Sequence, residues 1–238
     1  MKGLLMCAKY AFPPNLLNYC GPEDNKALFG VLKEGEKEQE LRNLLSQFEG
    51  AVPYLRLIAQ ANKIKDEFDE RVVEAYWIGN DLLKKVNAQN IFSHTEDRFK
   101  EKMDKKDWKW LVSGSVVNAK PFHGFHVFDI YRRTGLMKSG KIENLLETID
   151  NCRIGWGRVA NIDNGFAMVE YNPFEFKENK LCLGQAKTKK MSFLGISLKV
   201  GDEVSMHWDY ICDKITPRQK NNLVFWTDYH LNLTNRTI

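Results

Sequence analysis

Cysteine and histidine carry most of the latent chemistry in this sequence, because thiolate and imidazole serve as soft metal ligands, nucleophiles and proton carriers. Five cysteines stand at Cys7, Cys20, Cys152, Cys182 and Cys212. Their number is odd, their spacing is wide and no Cys-x-x-Cys pair occurs, which argues against a disulfide framework or a structural zinc site. A reducing, cytoplasmic setting fits them. Cys7 and Cys20 flank the Pro13-Pro14 pair, and with His123 and His126 they have the residue types of a soft metal site or a redox pair. The competing reading is packing in an apolar core, the usual place of a free cysteine. His123 and His126 lie within 121–131, where aromatic and β-branched residues alternate as in an extended strand. There they would point to opposite faces, whereas a turn at Gly124 or a helix would bring them to one. Cys182 and Cys212 fall in predicted strands and are expected to pack.

Templates of catalysis are missing from the sequence: there is no Gly-rich phosphate loop, no His-Glu-x-x-His and no Gly-x-Ser-x-Gly elbow. Gly155-x-Gly157 sits on a predicted strand with no helix after it, so it is no dinucleotide fingerprint. A net charge of +4 arises from 35 basic and 31 acidic residues interleaved along the chain, which leaves no electrostatic footprint for nucleic acid. With 238 residues and 43% hydrophobic content the chain can bury a sizeable core. The apolar start at Met1 to Cys7 is cut off by Lys9, Tyr10 and the prolines, too early for a signal-peptide core or a membrane span.

The elements that must position these residues fall into two sets. Residues 3–12 read as a short helix stopped by Pro13-Pro14. Tyr19-Cys20-Gly21-Pro22 reads as a tight turn. Leu41, Leu44, Leu45 and Phe48, then Tyr54, Leu57, Ile58, Ala61 and Ile64 after Pro53, have helical spacing, and Gly50 between them suggests an antiparallel pair. One long helix is expected over 67–86, its stripe running through Val72, Tyr76, Gly79, Leu83 and Val86. The charged run 100–109, with Trp108 and Trp110 nearby, reads as a solvated helix face. A connecting helix is expected over 143–149.

From Cys152 the period shortens to that of strands. Strands are expected at 153–160, 167–171, 181–183, 187–193, 203–208 and 210–215, with Asp163-Asn164-Gly165 as a type I′ hairpin turn and Lys199-Val200-Gly201-Asp202 as a second turn. That number suits a small closed barrel. Thr216-Pro217 then opens a helix striped by Leu223, Trp226, His230 and Leu233.

The segment Cys152-Arg153-Ile154-Gly155-Trp156-Gly157-Arg158-Val159, followed by Ile162-Asp163, Ala167-Met168-Val169 and Lys199-Val200-Gly201-Asp202-Glu203-Val204-Ser205-Met206-His207, resembles the HypC/HupF chaperones of nickel-iron hydrogenase maturation. In that pattern a cysteine opens the first strand and a Gly-Asp turn leads to a strand bearing a histidine. The resemblance implies an OB-type barrel that escorts iron carrying cyanide and carbon monoxide to the hydrogenase large subunit. It implies Cys152 as the iron ligand and His207 beside it, and a thiolate suits such soft, low-spin iron. Cys152 is internal, whereas the family's cysteine is amino-terminal, so here only sulfur can join the chemistry. Trp156 stands where the family has proline, and Trp208-Asp209 follows His207, so the barrel mouth is shaped differently. The amino-terminal half, through Tyr10-Ala11-Phe12-Pro13-Pro14-Asn15, Tyr19-Cys20-Gly21-Pro22 and His123-Gly124-Phe125-His126-Val127, resembles bacterial proteins of unknown function, some associated with hydrogenase gene clusters.

The sequence therefore predicts an α+β protein with a mainly helical domain over 1–150 and a HypC-like, OB-type barrel with a carboxy-terminal helix over 151–238. The expected role is that of a hydrogenase assembly accessory protein, a chaperone or binding module rather than an enzyme. Cys152 and His207 are its candidate ligands, Cys7, Cys20, His123 and His126 the secondary ones, and iron is carried transiently rather than as a resident cofactor. Its expected partner is a protein, the hydrogenase large subunit or a maturation factor, with neither nucleic acid nor membrane. The alternatives are single-stranded nucleic-acid binding through Trp156, Phe166 and Tyr171 beside Arg153 and Arg158, or a cysteine-dependent enzyme using the secondary candidates.

Overall fold

A computed structural model describes residues 1–34, 38–113, 118–130 and 142–236. The amino-terminal half is helical: α1 (Lys2–Leu16), α2 (Ala27–Glu34), α3 (Glu38–Leu45), α4 (Val52–Ala61), α5 (Glu70–Trp77), α6 (Ala88–Phe99), α7 (Lys105–Ser113), the single turn α8 (His123–Phe125) and α9 (Ile142–Cys152). Short 3-10 turns at Asp81–Lys85 and Lys100–Lys102 join α5 to α6 and α6 to α7.

α1 does not stop at the prolines. Pro13 and Pro14 lie inside it, and since proline has no N–H, the Tyr10 carbonyl four residues before Pro14 loses its usual intrahelical donor. Burial overrides the local penalty, because Tyr10, Ala11, Phe12, Pro13, Pro14 and Asn15 are all buried. α3 and α4 do not pair: α3 packs on α1 and α2, and α4 on α5. The long helix expected over 67–86 is broken after Trp77. Asp69 caps its start by accepting from the Arg71 N–H. At its end Gly79 takes φ +89°, and a Cβ there would lie 2.1 Å from Trp226 Cδ1, so only glycine fits. The extended reading of 121–131 is also corrected, over its described part. His123 to Phe125 form a helical turn that widens into a π-helix over His126–Ile130, and Tyr131 lies outside the described residues. The alternation misled because nearly every residue from Pro121 to Ile130 is buried, so no solvent face exists to set a period.

In the carboxy-terminal part, β1 (Gly155–Asp163), β2 (Phe166–Tyr171), β5 (Lys187–Phe193), β6 (Glu203–His207) and β7 (Tyr210–Lys214) close into a barrel in the order β1-β2-β5-β7-β6. β5 and β7 pair in parallel and the other neighbours antiparallel, a five-stranded Greek-key arrangement of OB type. Between β2 and β5, β3 (Phe174–Lys177) and β4 (Lys180–Leu183) form a separate hairpin. Asn164 and Gly165 both have positive φ, as a type I′ turn requires. Val159, Ala167, Val169, Met191, Val204, Met206 and Ile211 fill the barrel.

The last helix, α10 (Pro217–Thr234), begins with a capping box between Thr216 and Gln219. It returns to the helical half, where Leu223 and Trp226 join the core cluster of α1, α4 and α5. Thr234 donates to the Asp129 carboxylate, which fixes the π-helix. Among the described residues no helix is long and apolar enough to cross a membrane.

Candidate metal centre

His123, Cys152 and His207 offer one ligand atom each, and these atoms all lie within 4.8 Å of one another. Three separate pieces of chain bring them together. His123 is carried by the buried turn α8, Cys152 is the last residue of α9, and His207 ends β6. The first strand, expected from Arg153, thus starts two residues later, and Cys152 stands in the helix before it. The Arg153 N–H still bonds the Ile149 carbonyl at 3.0 Å, and β1 starts only at Gly155.

The neighbours of Cys152 clamp it. Asp150 accepts from the Arg153 guanidinium at 2.9 Å and from the Phe174 N–H at 2.9 Å, and Arg153 also donates to the Asn172 carbonyl. The Asn151 carbonyl accepts from the Trp208 N–H at 2.8 Å, which ties the end of α9 to the turn just after His207. Arg153 is 2% exposed and sits over the Trp156 and Phe174 rings. It is therefore committed to the fold and is not free to meet phosphates.

His207 faces away from the barrel interior. Along β6, Val204 and Met206 point into the barrel core, so Ser205 and His207 lie on its outer wall. α1 covers that wall: the Tyr10 hydroxyl bonds Ser205 Oγ at 2.7 Å, and His207 Nδ1 bonds the Tyr10 carbonyl at 2.6 Å. The site consequently lies between the barrel wall and the helices, not at an open barrel mouth.

Proton bookkeeping follows from these partners. A carbonyl only accepts, so Nδ1 of His207 carries its proton, and Nε2 is a bare lone pair. That Nε2 is buried and has no well-formed hydrogen bond among the described residues, although the Cys152 carbonyl lies close enough to act on the ring. His123 likewise donates from Nε2 to the Cys152 carbonyl at 2.8 Å, which leaves its Nδ1 as an acceptor 3.1 Å from the Tyr76 hydroxyl. The Tyr76 hydroxyl also faces the Gly50 carbonyl at 3.3 Å. Burial pushes His207 down to about 4 and holds His123 well below its usual range, the nearby His207 ring adding to the latter. Both rings are neutral at pH 7, the form that ligates. Desolvation raises the Cys152 thiol, and the neighbouring Cys20 raises it further.

The three donors line a mostly apolar cavity of about 120 Å³, whose walls also include Cys20, His126, Tyr76 and Trp77. Cys20, exposed as a residue, also lines this cavity. His126 reaches the same wall through the π-helix, so the two histidines share the cavity after all, although its ring also lies against Tyr54 and Phe99. Cys7 is not brought there. It packs in the helical core, where burial pushes its thiol up to about 12. Cys212 is buried, and the half-buried Cys182 bonds the Glu175 carbonyl. Sequence reasoning missed Tyr76, the Tyr10 carbonyl and Pro14. The one available signal was two prolines set within an apolar run that otherwise suits a helix.

The arrangement can hold one soft or borderline transition-metal ion through one sulfur and two imidazole nitrogens, provided the Tyr76 hydroxyl releases His123 Nδ1 and donates to the Gly50 carbonyl alone. Each imidazole gives its other N–H to a backbone carbonyl, which fixes the tautomer as is usual for metal-ligating histidines. Comparison with known proteins gives one family, described as a family of unknown function (DUF6390), whose model matches residues 1–238 and so spans helical half and barrel alike. No curated protein and no solved structure matches the chain.

Proposed function

The chain belongs over its whole length to the DUF6390 family of unknown function, and from the site we propose that it is an accessory protein of metal-centre assembly. It holds a transition-metal ion, iron foremost, between Cys152, His207 and His123, and gives it up to a protein partner. The observation that carries this reading is the buried, unpartnered Nε2 of His207 beside a thiol and a second neutral imidazole. Leaving such an acceptor buried and unsatisfied costs about 1–3 kcal/mol, a cost that a bound cation removes. The donor set is soft, with sulfur and imidazole and no carboxylate, which favours iron, zinc or copper over magnesium or calcium.

Iron as cargo, and a nickel-iron hydrogenase large subunit or maturation factor as partner, rest on the resemblance of the barrel segment to HypC/HupF. Cys152 acts through sulfur alone, since its nitrogen is an amide. The ion displaces the thiol proton on binding, and the apolar walls limit water at the sulfur.

Anaerobic loading with ferrous iron, followed by dialysis and metal analysis, tests the reading. Wild-type protein is expected to keep about one ion per chain, and Cys152→Ala and His207→Ala to lose more than about 100-fold in affinity, beyond the usual effect of an outer-sphere change. Infrared bands of bound cyanide or carbon monoxide after anaerobic co-purification would tie the ion to hydrogenase chemistry. Undiminished binding in Cys152→Ala, or full hydrogenase maturation by that variant in cells, overturns the assignment.

A further inference from the structure

We infer that Tyr76 is a latch on the site: its hydroxyl occupies the His123 lone pair while the site is empty and withdraws to the Gly50 carbonyl when an ion takes that nitrogen. This rests on the metal-binding reading above and extends it to the order in which the donors engage and to how the ion is given up.

The two imidazoles are not equivalent. Among the described residues no donor bonds His207 Nε2, so an ion meets a bare lone pair there. At His123 the ring N–H on Nε2 is spent on the Cys152 carbonyl, and the remaining lone pair, on Nδ1, already accepts from the Tyr76 hydroxyl at 3.1 Å. An ion must displace that hydroxyl before it can reach the nitrogen. Cys152 and His207 are therefore the donors that capture an ion, and His123 joins last and leaves first.

The surroundings of Tyr76 give its hydroxyl two positions. The ring is buried in the cavity wall, stacked on Tyr54 with centroids 5.8 Å apart and set edge-on to Trp77 at 4.7 Å. The hydroxyl end keeps a choice of acceptor, because the Gly50 carbonyl stands 3.3 Å from it. Water distinguishes the two acceptors. Gly50 is partly exposed and His123 is 6% exposed, so solvent can meet the Gly50 carbonyl when Tyr76 leaves it, but not His123 Nδ1. A buried acceptor left unsatisfied is costly. The hydroxyl spares the empty site that cost, which weakens binding by the same amount and eases departure of the ion. Both effects suit a carrier that must pass its ion on.

Tyr76→Phe removes the hydroxyl and keeps the ring. With the full-length, reduced chain under anaerobic conditions, chelator competition is expected to show about tenfold tighter cobalt(II) binding, and excess chelator to strip the ion about tenfold more slowly. The metal-free variant is expected to melt below wild type, because His123 Nδ1 is then buried with no donor. Tighter binding by a less stable protein separates the latch from a merely structural role, since a damaged site loses affinity along with stability. The gain in affinity should vanish in a His123→Ala background, where no lone pair is left to cover. Unchanged or weaker binding by Tyr76→Phe, while wild type binds cobalt, overturns the latch and spares the three-donor site. A gain that persists in His123→Ala overturns it equally. Wild-type protein that binds no cobalt defeats the metal reading itself, and the latch with it.

Discussion

Replacing Pro14 by alanine should stabilise the fold and weaken the site at the same time. A proline inside a helix is about 3 kcal/mol less favourable than alanine. Part of that is returned because proline also restricts the unfolded chain, by about 0.4–1 kcal/mol. The backbone gain for Pro14→Ala is about 2 kcal/mol, an upper limit because the buried Pro14 ring loses packing and the His207 bond weakens, and for a chain of this size it raises Tm by at most about 4–8 °C. The new N–H at position 14 lies one helical turn after the Tyr10 carbonyl and competes for it with His207 Nδ1, now at 2.6 Å. As that bond weakens, the His207 proton is no longer held on Nδ1, and the tautomer that places it on Nε2 removes a ligand. Disturbing an outer-sphere partner of this kind costs about 10–100-fold in metal affinity. Thermal melting of the metal-free protein and chelator-competition titration with cobalt(II) measure the two effects. Lower stability, or higher stability with unchanged affinity, would refute the link between the prolines of α1 and the His207 lone pair.

Two further outcomes are expected. Burial pushes His230 down to about 4 from an ordinary 6.5, so its neutral form is favoured in the fold. Its contribution is complete above about pH 6.5 and is lost as pH falls towards 4, for about 3 kcal/mol. Urea unfolding of wild type and His230→Gln across this window should show a shallower acid limb in the variant, and identical limbs would contradict it. Asp150→Ala leaves Arg153, 2% exposed, without its carboxylate, a loss of about 3–5 kcal/mol; a wild-type urea midpoint would show that the pair is not closed from water.

Much of the barrel was legible in the sequence because its signals are local. Asn164-Gly165 requires positive φ, Thr216-Pro217 caps and starts a helix, and Leu223, Trp226, His230 and Leu233 fall on one helical face, all as observed. The helical half was less legible where tertiary contact decides conformation. Whether the run through Gly79 continues as helix depends on Trp226, far along the chain, and the path of α1 through Pro13-Pro14 depends on the barrel wall it covers. The hairpin strand β3 escaped notice because Phe174 to Lys177 alternates over only four residues. At the site, the types Cys152, His207 and His123 were each visible, but their convergence was not. It is fixed by contacts such as Trp208 to Asn151 and His207 to Tyr10 that leave no trace in spacing.

The docking of Trp226 against Gly79 has a bearing on synthesis. During translation the amino-terminal helices leave the ribosome with a gap in their core, since Leu223 and Trp226 belong to the segment made near the end. Such a long-range closure is slow and keeps apolar surface exposed meanwhile. The nascent chain therefore exposes this part of its core until its last helix arrives, and truncation before Thr216 is expected to leave an aggregation-prone fragment rather than a smaller folded protein.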